Sequence, residues 1–366
     1  MIVASTGRTF AGAAFRAVSG PIWHRTALLM LGMLAAAGLM SSAWAADSPT
    51  LAAIRARGSV VCGMQSDNAP FSLPDSRGIW RGMDVDSCRA LAAAVLGDAG
   101  KVTIRPITGM TRFPAVQGGE VDVLFGSTTW ITTRETSLGL VFAATNYFSG
   151  QGFLVKRSLG VAHLTELNGA SVCVPPGSTT EVILQEWFRS HNLTFRPVLI
   201  DDPNQIQATF LSGRCDVFTR DMTGLSGFRM RQANPDEFVL LPEGITMEPL
   251  GAYIRKGDDS WLDVVRWTQF VLIWAEQLGV TAAKADAAAA SPGSNGTASP
   301  DIRRLLGDEG EVGPSMGLDR RWAANAIKAV GNYGEMWERN IAPFGLQRGL
   351  NNLWDKGGLM YSPPLR

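Results

Sequence analysis

Short apolar runs of strand type alternate with longer helical patterns from residue 48 onward. "SPTLAAIRARG" reads as a helical lead-in to the strand "SVVCGM". "GMDVDSCRALAAAVLG" follows, with Asp84 and Asp86 ahead of an apolar helical pattern, where acidic residues suit a helix N-terminus. "KVTIRPI" is strand-like, "MTRFPAVQGG" a short helix and turn, and "VDVLFGS" a buried strand. A second unit repeats the order after "NYFSGQGFLVKRS". "GASVCVPPGSTTEVILQEWFRSHN" is strand, loop and helix, "TFRPVLID" a strand, "PNQIQATFLSGR" a helix ending at Gly213, and "CDVFTRD" a strand.

The two units share a strand ending. "GGEVDVLFGSTTW" (Gly118–Trp130) and "SGRCDVFTRDMTG" (Ser212–Gly224) both run Asp-Val, an aromatic, then a polar cluster, about 95 residues apart. Strands alternating with helices predict an α/β fold of two lobes, each a mainly parallel sheet with flanking helices. "YFSGQGFLV" and "EPLGAYIRKG" read as two crossovers, out of the first lobe and back, making a two-strand hinge. The strand ends of both lobes then face one cleft, the edge where open α/β sheets hold ligands. The expected layout is a leader over 1–45, the first lobe over 46–150 and the second over 151–249. Residues 250–366 return to the first lobe and add a helical C-terminal extension. In that last part "WLDVVRWTQFVLIWAEQLG" is an amphipathic helix, and "AAKADAAAASPGSNGTASP" a low-complexity surface loop. The tail from "SPDIRRLLG" on is helical and aromatic-rich, and is expected to pack against the first lobe.

Composition changes this picture little. The 366 residues are 46% hydrophobic, ample for two cores. With 33 basic and 33 acidic residues the chain lacks the basic excess of a nucleic-acid binder. The leader says more. Arg8, Arg16 and Arg25 precede the apolar run Ala27–Met40, and "SSAWAADS" carries small residues at Ala43 and Ala45. That is the form of a secretory signal with cleavage expected after Ala45. The run has 14 residues, against the ~20 of a membrane span. The long lead ahead of it points to a start codon downstream of Met1. Removing three arginines and no acids leaves 30 basic against 33 acidic residues in an exported chain. Four cysteines remain, Cys62, Cys88, Cys173 and Cys215, and an exported compartment favours disulfides. Three pairings are open. Cys62–Cys88 with Cys173–Cys215 is favoured because each pair stays within one half of the chain. Without a C-x-x-C, and with His163 and His191 the only histidines past the leader, neither a metal nor another cofactor is expected. Asn295-Gly-Thr fits a glycosylation sequon, which has no meaning in a bacterial protein.

Three polar clusters fall at or just past strand C-termini. Ser127, Thr128, Thr129 and Arg134 form the first, Gly177 to Glu181 (with Ser178, Thr179 and Thr180) the second, Arg220 and Asp221 the third. Arg134 has the planar fork that grips a carboxylate by two bonds, and equally the character of a surface arginine at a helix start. Ser178 and Glu181 fit a capping box, so a helix N-terminus that attracts anions begins there, or is simply capped. Asp221 can receive an ammonium or sit in a structural turn. Taken together, an arginine fork, a helix N-terminus and one acid describe a site for a free α-amino acid, with Ser127, Thr129 and Thr179 hydroxyls completing it. Four or five charge-assisted bonds at roughly 1.5–3 kcal/mol each, less the cost of closure, reach the ~8 kcal/mol of a micromolar site.

These residues carry a resemblance. "NAPFS", "GMDVDSC", "GGEVDVLFGSTTWITTRE", "NYFSGQGFLV", "GSTTE" and "CDVFTRD" stand in the order found in periplasmic solute-binding proteins of the polar amino acid type, which serve ABC transporters. The likeness covers residues 50 to 257. "VGNYGEMWERN" and "GLNNLWDKGGLMYSPPLR" resemble the longer general L-amino-acid-binding subgroup and extend it to the C-terminus. The resemblance implies the type II periplasmic-binding fold, with Arg134 and Thr179 on an α-carboxylate and Asp221 on an α-amino group. It also implies a free L-amino acid as ligand, an inner-membrane ABC permease as partner, a periplasmic location, broad specificity and a monomer. Many members of the family that it resembles place an aromatic where this chain has Asn68, which leaves the side-chain pocket open; Gln65, Arg112, Trp130 and Arg220 are candidates to line it. Two other readings stand beside this one. An enzyme on the same scaffold, a dehydratase or wall-cleaving hydrolase, would need Glu135 or Glu181 as acid or base. An extracellular sensor would be followed by a membrane span, and no second apolar run reaches that length.

Overall fold

The computed structural model describes residues 48–290 and 298–366, side chains of 288–290 excepted. The expected signal segment and the Asn295 sequon lie outside the described residues. In chain order the first elements are α1 (Pro49–Arg57), β1 (Val60–Met64), β2 (Leu73–Pro74), β3 (Trp80–Arg81) and α2 (Met83–Leu96). Then come β4 (Val102–Pro106), α3 (Arg112–Gln117), β5 (Val123–Thr129), α4 (Thr132–Ser137) and β6 (Leu140–Ser149). The middle of the chain forms β7 (Gln151–Lys156), β8 (Ser171–Val174), α5 (Thr179–Ser190), β9 (Arg196–Leu199) and α6 (Pro203–Leu211). It continues with β10 (Val217–Asp221), α7 (Met222–Met230), β11 (Phe238–Leu240) and β12 (Glu248–Arg255). Six helices follow: α8 (Asp259–Gln277), α9 (Ala282–Ala290), α10 (Pro300–Leu305), α11 (Val312–Ser315), α12 (Trp322–Val330) and α13 (Tyr333–Asn340).

Two five-stranded sheets result, ordered β4-β1-β5-β12-β6 and β11-β7-β10-β8-β9. They are mixed rather than mainly parallel. In the first, β1 runs parallel to β4 and β5, while β12 is antiparallel to β5 and β6. In the second, β8 runs parallel to β9 and β10, while β7 is antiparallel to β10 and β11. The crossovers cause this. β6 passes through Gly150 straight into β7 of the other sheet, and β12 returns beside β6. A Cβ on Gly150 would stand 2.3 Å from the Thr246 carbonyl, so the two passes touch backbone to backbone there.

β1 and β5 are buried along their whole length, which is why they read as unbroken apolar runs. The first sheet's large core joins Val60, Val123, Trp261, Trp274, Trp322 and Trp337, so the C-terminal helices pack onto it. Asp86 at the head of α2 fastens the tail, accepting from Arg339 at 2.6 and 3.0 Å and from Asn340 at 2.7 Å. Arg348 clasps Glu276 through two bonds of 2.8 and 3.0 Å. Disulfides join Cys62 to Cys88 and Cys173 to Cys215, closing separations of 26 and 42 residues. Loops of that size are each worth roughly 3–4 kcal/mol in lost unfolded-chain entropy. The low-complexity stretch after Gly279 was expected as a loop; its alanines extend a helix to Ala290 instead, as alanine's propensity favours.

Candidate functional site

At the end of β5 the chain leaves ordinary strand geometry. Gly126 has φ 79° and Ser127 φ 49°, the left-handed region that a non-glycine residue enters at a cost. Asp84, buried at the start of α2, holds this kink by accepting from Gly126 N at 2.8 Å and Ser127 N at 3.1 Å. Its other oxygen accepts from Asn146 Nδ2 at 2.9 Å. Burial pushes the Asp84 carboxyl up to about 6 against these three bonds. Asn68 is fully buried and donates to Ser127 Oγ at 3.1 Å.

Beyond the kink, two guanidiniums and two carboxylates face the same interior. Arg134, on α4, is 4% exposed, and one of its donors goes to the Thr129 carbonyl. Arg112, opening α3, is 5% exposed, and its buried Nε has no hydrogen-bond partner among the described residues. Both stand over the Phe113 ring, 4.7 and 5.0 Å from its centre. Burial, then the like charge of Arg134, pulls Arg112 down to about 9. Arg134 is likewise lowered, first by burial, while Tyr253, Glu248 and Asp221 oppose. Asp221, the last residue of β10, lines the cleft without a bonded donor among the described residues. Burial, then repulsion from Glu248, pushes its carboxyl up to about 7; Arg220, Arg112 and Arg134 act the other way. Glu248 opens β12, is 5% exposed, and accepts from Thr129 Oγ and Thr246 Oγ, each at 2.7 Å, and from Thr179 Oγ at 3.4 Å.

The two sheets' strand ends meet across this interior. Thr129 and Thr179 hydroxyls lie 3.3 Å apart. Met110 N donates to Asp201 at 3.2 Å, and Arg220 Nη1 stands 2.5 Å from Asp67 Oδ2. A Cβ on Gly227 of α7 would come within 2.6 Å of the Pro70 ring, so the halves touch there too. A cavity of about 590 Å3 opens beside Arg134, lined on one side by Phe113, Ile131 and Leu138 and on the other by Thr179, Val182 and Ile183.

Of the residues singled out from sequence, the structure gathers Arg134, Arg112, Asp221, Thr129, Thr179, Ser127, Gln65 and Arg220 around the cleft. Others it commits elsewhere. Thr128 Oγ donates to the Phe125 and Gly126 carbonyls. Ser178 caps α5 by accepting from Glu181 N and donates to the Pro175 carbonyl, while Thr180 offers its carbonyl to Gln151. Trp130 is 49% exposed and stacks on Phe142, lining a separate groove with Arg266 and Phe270. Glu135 accepts from Trp130 Nε1 and Phe142 N, and Glu181 from Gly177 N. Glu248 and Asp67 were missed. The only sequence signal for Glu248 was a carboxylate inside the return crossover; Asp67 had none.

Comparison with known proteins agrees with this architecture. Residues 60–271 match the model of the bacterial extracellular solute-binding proteins, family 3, and the chain belongs to that family. It is 46% identical to the general L-amino acid-binding periplasmic protein AapJ of Rhizobium johnstonii, over 92% of this chain and 99% of the relative. It is 47% identical to the glutamate/glutamine/aspartate/asparagine-binding protein BztA of Rhodobacter capsulatus, over 92% and 98%. Among solved structures it resembles an ABC transporter periplasmic binding protein from Brucella ovis with glutathione bound. There the TM-score is 0.82 and the identity 44%, covering 87% of this chain and 99% of that one.

Proposed function

We propose that this protein closes its two halves on a free L-amino acid and hands the closed form to an inner-membrane ABC permease. The observation that carries the reading is the unsatisfied charge in a shared interior. Among the described residues Arg112 lacks a carboxylate partner and Asp221 lacks a donor, and the two sit on opposite halves of the cleft. A zwitterion answers both. Its carboxylate takes Arg134 and Arg112, with Thr179 beside them; its ammonium takes Asp221, with Glu248 reinforcing the negative end. Closure is then driven by contacts that exist only when both halves meet around the ligand.

The cavity beside Arg134 admits a ligand larger than one residue, and a γ-glutamyl peptide keeps the same free α-ammonium and α-carboxylate. The protein is a binder and not an enzyme on this reading, since Glu135 and Glu181 are both engaged structurally. Export with cleavage after Ala45 into the periplasm, and a monomeric state, belong to the same proposal. Isothermal calorimetry of the exported protein against the common L-amino acids and glutathione tests it, with micromolar binding of at least one expected. No binding by any of them refutes it, and turnover of a bound compound would favour the enzyme. Mass spectrometry of the exported chain reads the cleavage site.

A further inference from the structure

Arg220 and Asp67 form a buried ion pair between the halves, at a part of the cleft that the carboxylate and ammonium contacts do not use. Their side chains are 10% and 7% exposed, and Nη1 to Oδ2 measures 2.5 Å. Asp67 lies in the loop between β1 and β2; Arg220 immediately precedes Asp221 on β10. Gln207 Nε2 donates to the same Asp67 oxygen at 3.3 Å, and Arg220 Nη2 to Gln65 Oε1 at 3.4 Å. Arg231 adds a bond to the Asp67 carbonyl at 3.3 Å. Arg220 is also held from behind, since a Cβ on Gly224 would stand 2.7 Å from its Nε. The space left among Gln65, Asp67, Ile107, Pro175, Phe218 and Arg220 is about 30 Å3, room for a water or two.

A ligand whose ammonium sits on Asp221 directs its side chain toward these groups or toward the larger cavity. In the first direction it meets a cation already neutralised. A carboxylate arriving there must displace Asp67 from Arg220, and then two carboxylates compete for one guanidinium in a site from which water is largely excluded. An amide of the same shape faces no such competition, and Gln65 offers it a matching amide.

We propose that the Asp67–Arg220 pair sets the charge selectivity of the site, keeping the side-chain end neutral so that uncharged polar amino acids are preferred over acidic ones. This rests on the amino acid reading above. Glutamine and glutamate, which differ only by amide against carboxylate, are the probes, with the ratio of their dissociation constants measured by calorimetry at pH 7.5. The wild-type protein binds glutamine at least as tightly as glutamate. Asp67→Asn frees Arg220 and moves the ratio toward glutamate by about tenfold or more. Arg220→Met leaves Asp67 bare and moves it the other way, which keeps the test available if one variant fails to fold; circular dichroism reads folding. A pair that merely locked the halves together would weaken both ligands equally. Ratios that stay within about twofold in the folded variants overturn the proposal. So does a wild-type preference for glutamate, or a wild-type protein that binds other amino acids and neither probe. If no amino acid binds at all, the underlying reading falls instead.

Discussion

Arg134→Met separates a ligand-binding arginine from a structural one. Arg134 is 4% exposed, one donor is used on the Thr129 carbonyl and another meets the Tyr253 hydroxyl, and the residue lines the cavity. If it holds a carboxylate by two charge-assisted bonds, the loss is roughly 3–6 kcal/mol at ~1.5–3 kcal/mol per bond. Arg112 stays at the same end and recovers part, so the lower figure applies. About 3 kcal/mol is a dissociation constant raised about 100-fold. The ligand-free protein should not suffer in parallel. The Thr129 carbonyl keeps its bond from Tyr253 OH at 3.1 Å, methionine refills most of the volume over Phe113, and Arg112 loses a like charge that now lowers it. Calorimetry reads the affinity, and a thermal melt without ligand should stay level or rise. Arg112→Met and the double variant complete a cycle, in which the two losses are non-additive because both groups serve one carboxylate. Affinity unchanged in Arg134→Met would refute the reasoning, as would a loss of affinity matched by an equal loss of stability.

Asp221→Asn should weaken binding at least 100-fold by calorimetry, since one buried carboxylate–ammonium bond and its charge are lost. The Asp221 carboxyl is raised in the folded protein from its ordinary 3.8 to about 7. It therefore costs nothing below pH 4, and its cost to folding builds between pH 4 and about 7 and is complete above that. Melting temperature without ligand should fall over that window in the wild type and fall less in Asp221→Asn; parallel profiles would count against it. Asp86→Ala removes the carboxylate shared by Arg339 and Asn340 and should cost roughly 1.5–3 kcal/mol in a denaturant titration, whereas exposed Glu338→Ala should shift stability by less than about 0.5 kcal/mol. Gly227→Val drives a side chain into the Pro70 ring; X-ray scattering should then show a radius of gyration that no longer contracts when ligand is added.

Sequence alone determined the parts of this protein that depend on neighbours along the chain. Apolar runs, capping residues such as Ser178 with Glu181, and the repeated Asp-Val strand ending were legible because strands and helix starts are local patterns. So were two strand-end clusters that face each other across the cleft. The crossovers "YFSGQGFLV" and "EPLGAYIRKG" were legible, but nothing in them says that β12 and β7 insert antiparallel beside β5 and β10; that depends on how the halves pack. Glu248 and Asp67 were invisible for a related reason. Their partners Thr129 and Arg220 are 119 and 153 residues away, and a carboxylate acquires meaning there only when folding removes water and brings those groups within bonding distance. Trp130 looked like a pocket residue from its place beside Thr129, yet the face of Phe142 claimed it. The tertiary structure thus decided which charges are neutralised and which stay open, because burial and long-range contact, not residue type, fix what a charged side chain is free to bind.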